Sequence, residues 1–224
     1  MKKFLALLMA VIMVLTVSIT AFATPGSFVQ SPSNNNGPEL VEGSNEDEEC
    51  TAELIITPYK DRATLPAKAL ADIEKVYGII AAGVDLTSLN AEFKAFVASK
   101  GLLASNLAVS DLFDVSYYNC DIHDFHGYFR IKLSADTLRN FVGLLHYNDG
   151  VWEFVDNAKV LPDGETLEFS IKDLSPFAIV VDTSKGSAVS PETGAEDYTA
   201  FVAVITSIAA ASVVFVSLKK KKYE

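Results

Sequence analysis

The chain has 224 residues, half of them hydrophobic, and its 29 acidic against 18 basic residues give a formal net charge of −11 at neutral pH. A surface of that sign repels phosphates, which excludes a nucleic-acid partner and suits a soluble extracellular protein. With only two cysteines the fold cannot rest on a disulfide framework.

Residues 1–23 open with Lys2 and Lys3, continue with an apolar run from Phe4, and end in Ala21-Phe22-Ala23. Basic start, apolar middle and small-x-small end are the pattern of a secretory signal peptide, expected as an N-terminal signal helix. Cys50 is too far past Ala23 to be the lipid-modified cysteine of a lipoprotein. Residues 24–49 are rich in Pro, Gly, Ser, Asn and acid and lack apolar periodicity, which predicts a disordered linker.

Residues 50–182 are expected to form one extracellular domain, long enough to bury a core without staples. Ala52–Thr57 is β-prone and closed by Pro58. Pro66 fits a first helical turn, and Leu70, Ile73, Tyr77 and Ile80 share one helical face that ends near Gly83. A second helix is predicted over Leu89–Lys100, with Phe93, Phe96 and Val97 on one side and Gly101 as its stop. From Asp111 the pattern turns to strands at Leu112–Tyr117 and Tyr128–Leu133. Leu144–Tyr147 and Val151–Val155 flank Asn148-Asp149-Gly150 as a hairpin, with Trp152 and Phe154 on its core face. Pro162-Asp163-Gly164-Glu165 turns the chain into Thr166–Ile171, and Phe177–Val181 reads as a buried closing strand. The expectation is a mainly β, β-sandwich-like domain with two inserted helices.

A polar tether at 183–197 follows, and then 21 residues without charge, Tyr198–Leu218. As a helix this stretch reaches about 31 Å, the thickness of a bilayer's hydrocarbon core, so a C-terminal transmembrane helix is expected. Lys219 to Lys222 begin a basic tail, 219–224, held on the cytoplasmic side, which places everything before the span outside.

The order of Ser190-Pro191-Glu192-Thr193-Gly194, short spacer, span and lysines resembles the cell-wall sorting signal of Gram-positive surface proteins. That family's motif is Leu-Pro-any-Thr-Gly; here Ser190 stands in the leucine's place. The resemblance implies a sortase and a cell-wall peptide as partners, the cytoplasmic membrane as anchor, and cleavage between Thr193 and Gly194. Pro191 would fix the local bend, and Gly194 would let an enzyme approach the backbone closely. Within Asp111–Asp182, LLHYNDGVWEFV followed by LSPFAIVVD also resembles the C-terminal part of modules common in clostridial surface proteins. This second resemblance implies location and fold rather than chemistry.

The densest set of metal-type ligands is Cys120, Asp121, His123, Asp124 and His126. His123 and His126 are three apart, a spacing that can set two imidazoles on one ion, with Cys120 or an aspartate as third ligand; a polar hairpin loop is the plainer reading. Cys50 and Cys120 either pair or stay free, and a bridge between them would add about 4 kcal/mol on loop-entropy grounds. The chain has no Gly-x-Ser-x-Gly, His-Glu-x-x-His or phosphate-loop motif. The resulting expectation is a surface-anchored, non-catalytic structural or binding module that needs no cofactor and has an unidentified extracellular ligand. The alternatives are an extracellular metal-dependent enzyme using the His123 and His126 loop, and a glycan-binding adhesin using Tyr117, Tyr118, Phe125 or Tyr128 as an exposed platform.

Overall fold

Pro176–Asp182 is a strand in which all seven residues are buried. Its side chains alternate between two cores: Phe177, Ile179 and Val181 enter one, Ala178 and Val180 the other. A strand buried on both faces needs a layer on each side, and that requirement organises the domain.

The computed structural model describes residues 27–45, 53–118 and 127–185. In chain order these contain β1 (Glu39–Asn45), β2 (Glu53–Pro58), α1 (Ala67–Ala81), α2 (Ala91–Ser99), β3 (Leu107–Tyr118), β4 (Phe129–Ser134), β5 (Phe141–Asn148), β6 (Val151–Phe154), β7 (Lys159–Val160), β8 (Thr166–Ile171) and β9 (Pro176–Asp182). They form two antiparallel sheets, ordered β2-β3-β9-β5-β6 and β1-β4-β8-β7. The fold is mainly β and sandwich-like.

Between the two sheets lies one core, built on Phe113, Phe129, Ile131, Leu133, Phe169 and Phe177. The other face of the five-stranded sheet carries a second core under the helices. There Ile73, Val76 and Ile80 of α1 and Phe93 and Val97 of α2 meet Leu112, Leu145, Tyr147, Trp152 and Val180. The helices therefore make a third layer over the sandwich. α2 is held at its start by Asn90, whose side chain accepts from the Phe93 N–H (2.9 Å) and donates to the Trp152 carbonyl (3.0 Å).

The β5–β6 hairpin closes through Asp149 (φ 45°) and Gly150 (φ 94°), both in the left-handed region that a two-residue hairpin turn requires. Its register pairs Tyr147 with Trp152 and Leu145 with Phe154, all four on the helix-facing core. Leu144 and His146 point the opposite way, into the space between the sheets, so both faces of β5 are covered.

Residues 24–49 are not a disordered linker throughout. Ser27–Val29 lies beside β3, with the Val29 N–H donating to the Val109 carbonyl (2.8 Å) and the Val109 N–H to the Ser27 carbonyl (2.9 Å). Asn35 donates to the buried Asp111 carboxylate at 2.7 Å, which also accepts from Ser110 and Thr137. Burial pushes the Asp111 pKa up, and these three donors oppose it. β1 then pairs with β4 along the sheet edge. Strands of this kind are held by backbone hydrogen bonds while Leu40 and Val41 stay in solvent, so no apolar period marks them.

The predicted signal peptide (1–23), the span (198–218) and the tail (219–224) lie outside the described residues. Among the described residues no helix is long and apolar enough to cross a membrane.

Candidate functional site

One end of the sandwich carries three exposed tyrosines together with several ionisable side chains. The pairings Asp114 with Pro176, Phe129 with Ile171 and His146 with Glu153 bring together the end of β3, the start of β4, the end of β8, the start of β9 and the β5–β6 hairpin.

Tyr117, Tyr118 and Tyr128 are 45, 44 and 42 % exposed, in a domain whose other large rings are mostly buried. Strand alternation sends Tyr117 and Tyr118 to opposite faces of β3. Tyr117 stacks on Phe129 with centroids 5.7 Å apart, and Tyr118 donates its hydroxyl to Glu53 across the β2–β3 pair. The Lys172 ammonium sits 4.9 Å from the Tyr128 ring centre, within cation–π range. The three rings surround the end of the sandwich instead of forming one flat platform.

Beside Tyr128 a cleft of about 240 Å³ opens between the end of β6 and the end of β8. Its walls include Glu153, Asp156 and Asp173 with Lys172 as the basic member. Asn157 and Ser170 fix the rim by exchanging two hydrogen bonds: Asn157 donates to the Ser170 carbonyl (2.9 Å) and accepts from the Ser170 N–H (3.0 Å). Tyr128, Phe154, Val155 and Ile171 give the cleft apolar surface beside its charged and amide groups, a mixed lining that suits a ligand with both polar and apolar faces.

Behind the cleft lies a contiguous set of polar groups. The imidazole of His146 is fully buried, with Nδ1 3.1 Å from Glu153 Oε2 and Nε2 2.5 Å from Ser175 Oγ. Ser175 Oγ is also 2.6 Å from the Tyr147 carbonyl oxygen, and Phe177 stacks on the imidazole at 4.5 Å. Serine, histidine and carboxylate follow one another here as in a hydrolytic triad, but the burial order is reversed. The carboxylate is the half-exposed member, the histidine is sealed, and the serine hydroxyl has a backbone acceptor. Pro176 also lacks the N–H that the residue after a nucleophile commonly lends to an oxyanion hole. The geometry ties β5, β6 and the β8–β9 connection together.

On the helix-facing side of the same end, Asp114 is buried and its Oδ1 has no hydrogen-bond partner. Burial, with a smaller contribution from Asp72 on α1, raises its pKa to about 7.

Of the site residues read from the sequence, Cys120, Asp121, His123 and His126 lie outside the described residues, between Tyr118 and Gly127. So do Phe125, Cys50 and the sorting motif Ser190 to Gly194. Among the described residues no group of three or more His, Cys, Asp or Glu is arranged to hold a metal ion. The His146, Glu153 and Ser175 set is not marked by any short motif. Two of its three members are nevertheless legible, since a two-residue turn at Asp149-Gly150 places His146 opposite Glu153 by counting. Comparison with protein-family models, with curated proteins and with solved structures finds no match to this chain.

Proposed function

We propose that this protein is exported and anchored at the envelope of a Gram-positive cell, where its folded domain acts as a non-catalytic binding module. Its tyrosine-bearing end would take a glycan of the surroundings. The export pattern at 1–23 and the sorting-type ending, with Thr193 as the acyl donor to a sortase, support the location. The observation that carries the binding role is the exposure of Tyr128 on the wall of a cleft, at the end of the sandwich where Tyr117 and Tyr118 are exposed as well. A ring left in water on a cleft wall can stack on the apolar face of a sugar while neighbouring carboxylates and amides engage its hydroxyls.

The test is binding of the full-length protein to a panel of purified cell-wall and host glycans. Tyr128→Ala is expected to weaken binding about three- to tenfold, the equivalent of one lost stacking contact. Its folding stability should change by no more than about 0.5 kcal/mol, as for other exposed positions. Wild-type protein that retains no glycan would contradict the ligand class. Binding that is indifferent to Tyr128→Ala would contradict the placement of the site.

A further inference from the structure

We infer that His146, Glu153 and Ser175 form a proton-controlled clasp, in which uptake of one proton from solvent completes three hydrogen bonds that the neutral groups cannot make together. The inference rests on counting protons. The contacts are Glu153 Oε2 to His146 Nδ1 (3.1 Å), His146 Nε2 to Ser175 Oγ (2.5 Å) and Ser175 Oγ to the Tyr147 carbonyl oxygen (2.6 Å). Each needs one hydrogen between its two heavy atoms. A neutral imidazole brings one N–H and the serine brings one O–H, while an ionised Glu153 and a carbonyl bring none. Two hydrogens cannot fill three contacts.

The neutral clasp therefore has two incomplete forms. In one, Nδ1–H donates to Glu153 and the serine hydroxyl to Nε2, which leaves the Tyr147 carbonyl without it. In the other, Nε2–H donates to Ser175 and Ser175 to Tyr147, which leaves the Nδ1 lone pair facing a carboxylate. A proton on the ring satisfies all three contacts at once, with imidazolium donating to Glu153 and Ser175, and Ser175 donating to Tyr147.

The charged groups that face the ring are Glu153 from β6 and Asp173 from the β8–β9 connection; from β9 its neighbour is Phe177. Burial lowers the His146 pKa below its ordinary 6.5 and outweighs the opposing pull of the two carboxylates. The clasp is accordingly incomplete at neutral pH and closes as the medium becomes acidic. Glu153 also lines the cleft, so the proton sits one residue from that surface.

The test is a nitrogen-shift titration of the full-length chain labelled with ¹⁵N-histidine. His146→Asn identifies the resonances of His146 among the three histidines. Wild type should show a neutral ring at pH 8 and protonation of both nitrogens as the pH falls through a midpoint below 6.5. Glu153→Gln keeps an acceptor oxygen but removes the charge, and should lower that midpoint by about one pH unit. Ser175→Ala removes two of the three contacts and should lower it as well. A ring that stays neutral until acid unfolding, or a midpoint unchanged in Glu153→Gln, overturns the inference.

Discussion

Replacing Trp152 with alanine is expected to destabilise the domain by about 3 to 5 kcal/mol, the range for deleting a large buried aromatic. Trp152 is 8 % exposed and meets Tyr147 edge-on with ring centres 5.2 Å apart, in the core beneath the helices. The loss comes from the side chain alone, because the hydrogen bond from Asn90 goes to the Trp152 backbone carbonyl and survives the substitution. Val151 provides the control. It is adjacent on β6 but 62 % exposed, so Val151→Ala should stay within about 0.5 kcal/mol. Denaturant unfolding followed by circular dichroism measures both variants. Trp152 is the chain's single tryptophan, so wild-type fluorescence reports on this core directly. Equal, small losses in the two variants would contradict the assignment of Trp152 to the core.

Asp114→Asn is expected to stabilise the protein at alkaline pH and to lose that advantage in acid. The folded-state pKa of Asp114 is raised to about 7 from a reference of 3.8. The fold thus prefers the protonated carboxyl. Its contribution is fully present below the unfolded pKa, declines as the pH rises from about 4, and levels off above about 7. Three pKa units correspond to roughly 4 kcal/mol of penalty at that plateau. Asparagine escapes the ionisation but places an amide where Oδ1 has no partner, which returns about 1 to 3 kcal/mol. The net expectation is a gain of about 1 to 3 kcal/mol at pH 8, falling to zero or below at pH 4. The measurement is the difference in unfolding free energy between variant and wild type at several pH values. A difference that does not change with pH would contradict the account.

The sequence made legible those features that depend on one element and its two flanking turns. The spacing of Ile73 and Ile80 places α1 on the core, and Asp149-Gly150 fixes the β5–β6 register. Phe177–Val181 reads as a strand buried on both faces, as it is. The remainder depends on long-range pairing. β3 begins at Leu107, earlier than its alternation indicates, because an irregularity between Val109 and Asp111 breaks the period. β1 pairs along an edge with its apolar side chains in water, so composition alone gave it the character of a linker. Ser175 reaches His146 only because the β8–β9 connection passes the end of β5, and no spacing along the chain encodes that approach. Tyr117, Tyr118 and Tyr128 are identifiable as candidates, but their exposure depends on how the ends of β3 and β4 sit at the edge of the sandwich.

We propose that this domain is displayed outside the cell and joined to the wall through Thr193. Fractionation of cells expressing wild type and Thr193→Ala tests it most directly. Wild type should be released only by wall-digesting enzymes and carry attached wall fragments, whereas Thr193→Ala should remain in the membrane fraction. Equal wall attachment of the two proteins would contradict sortase linkage at this residue, and recovery of wild type from the cytosol would contradict export itself.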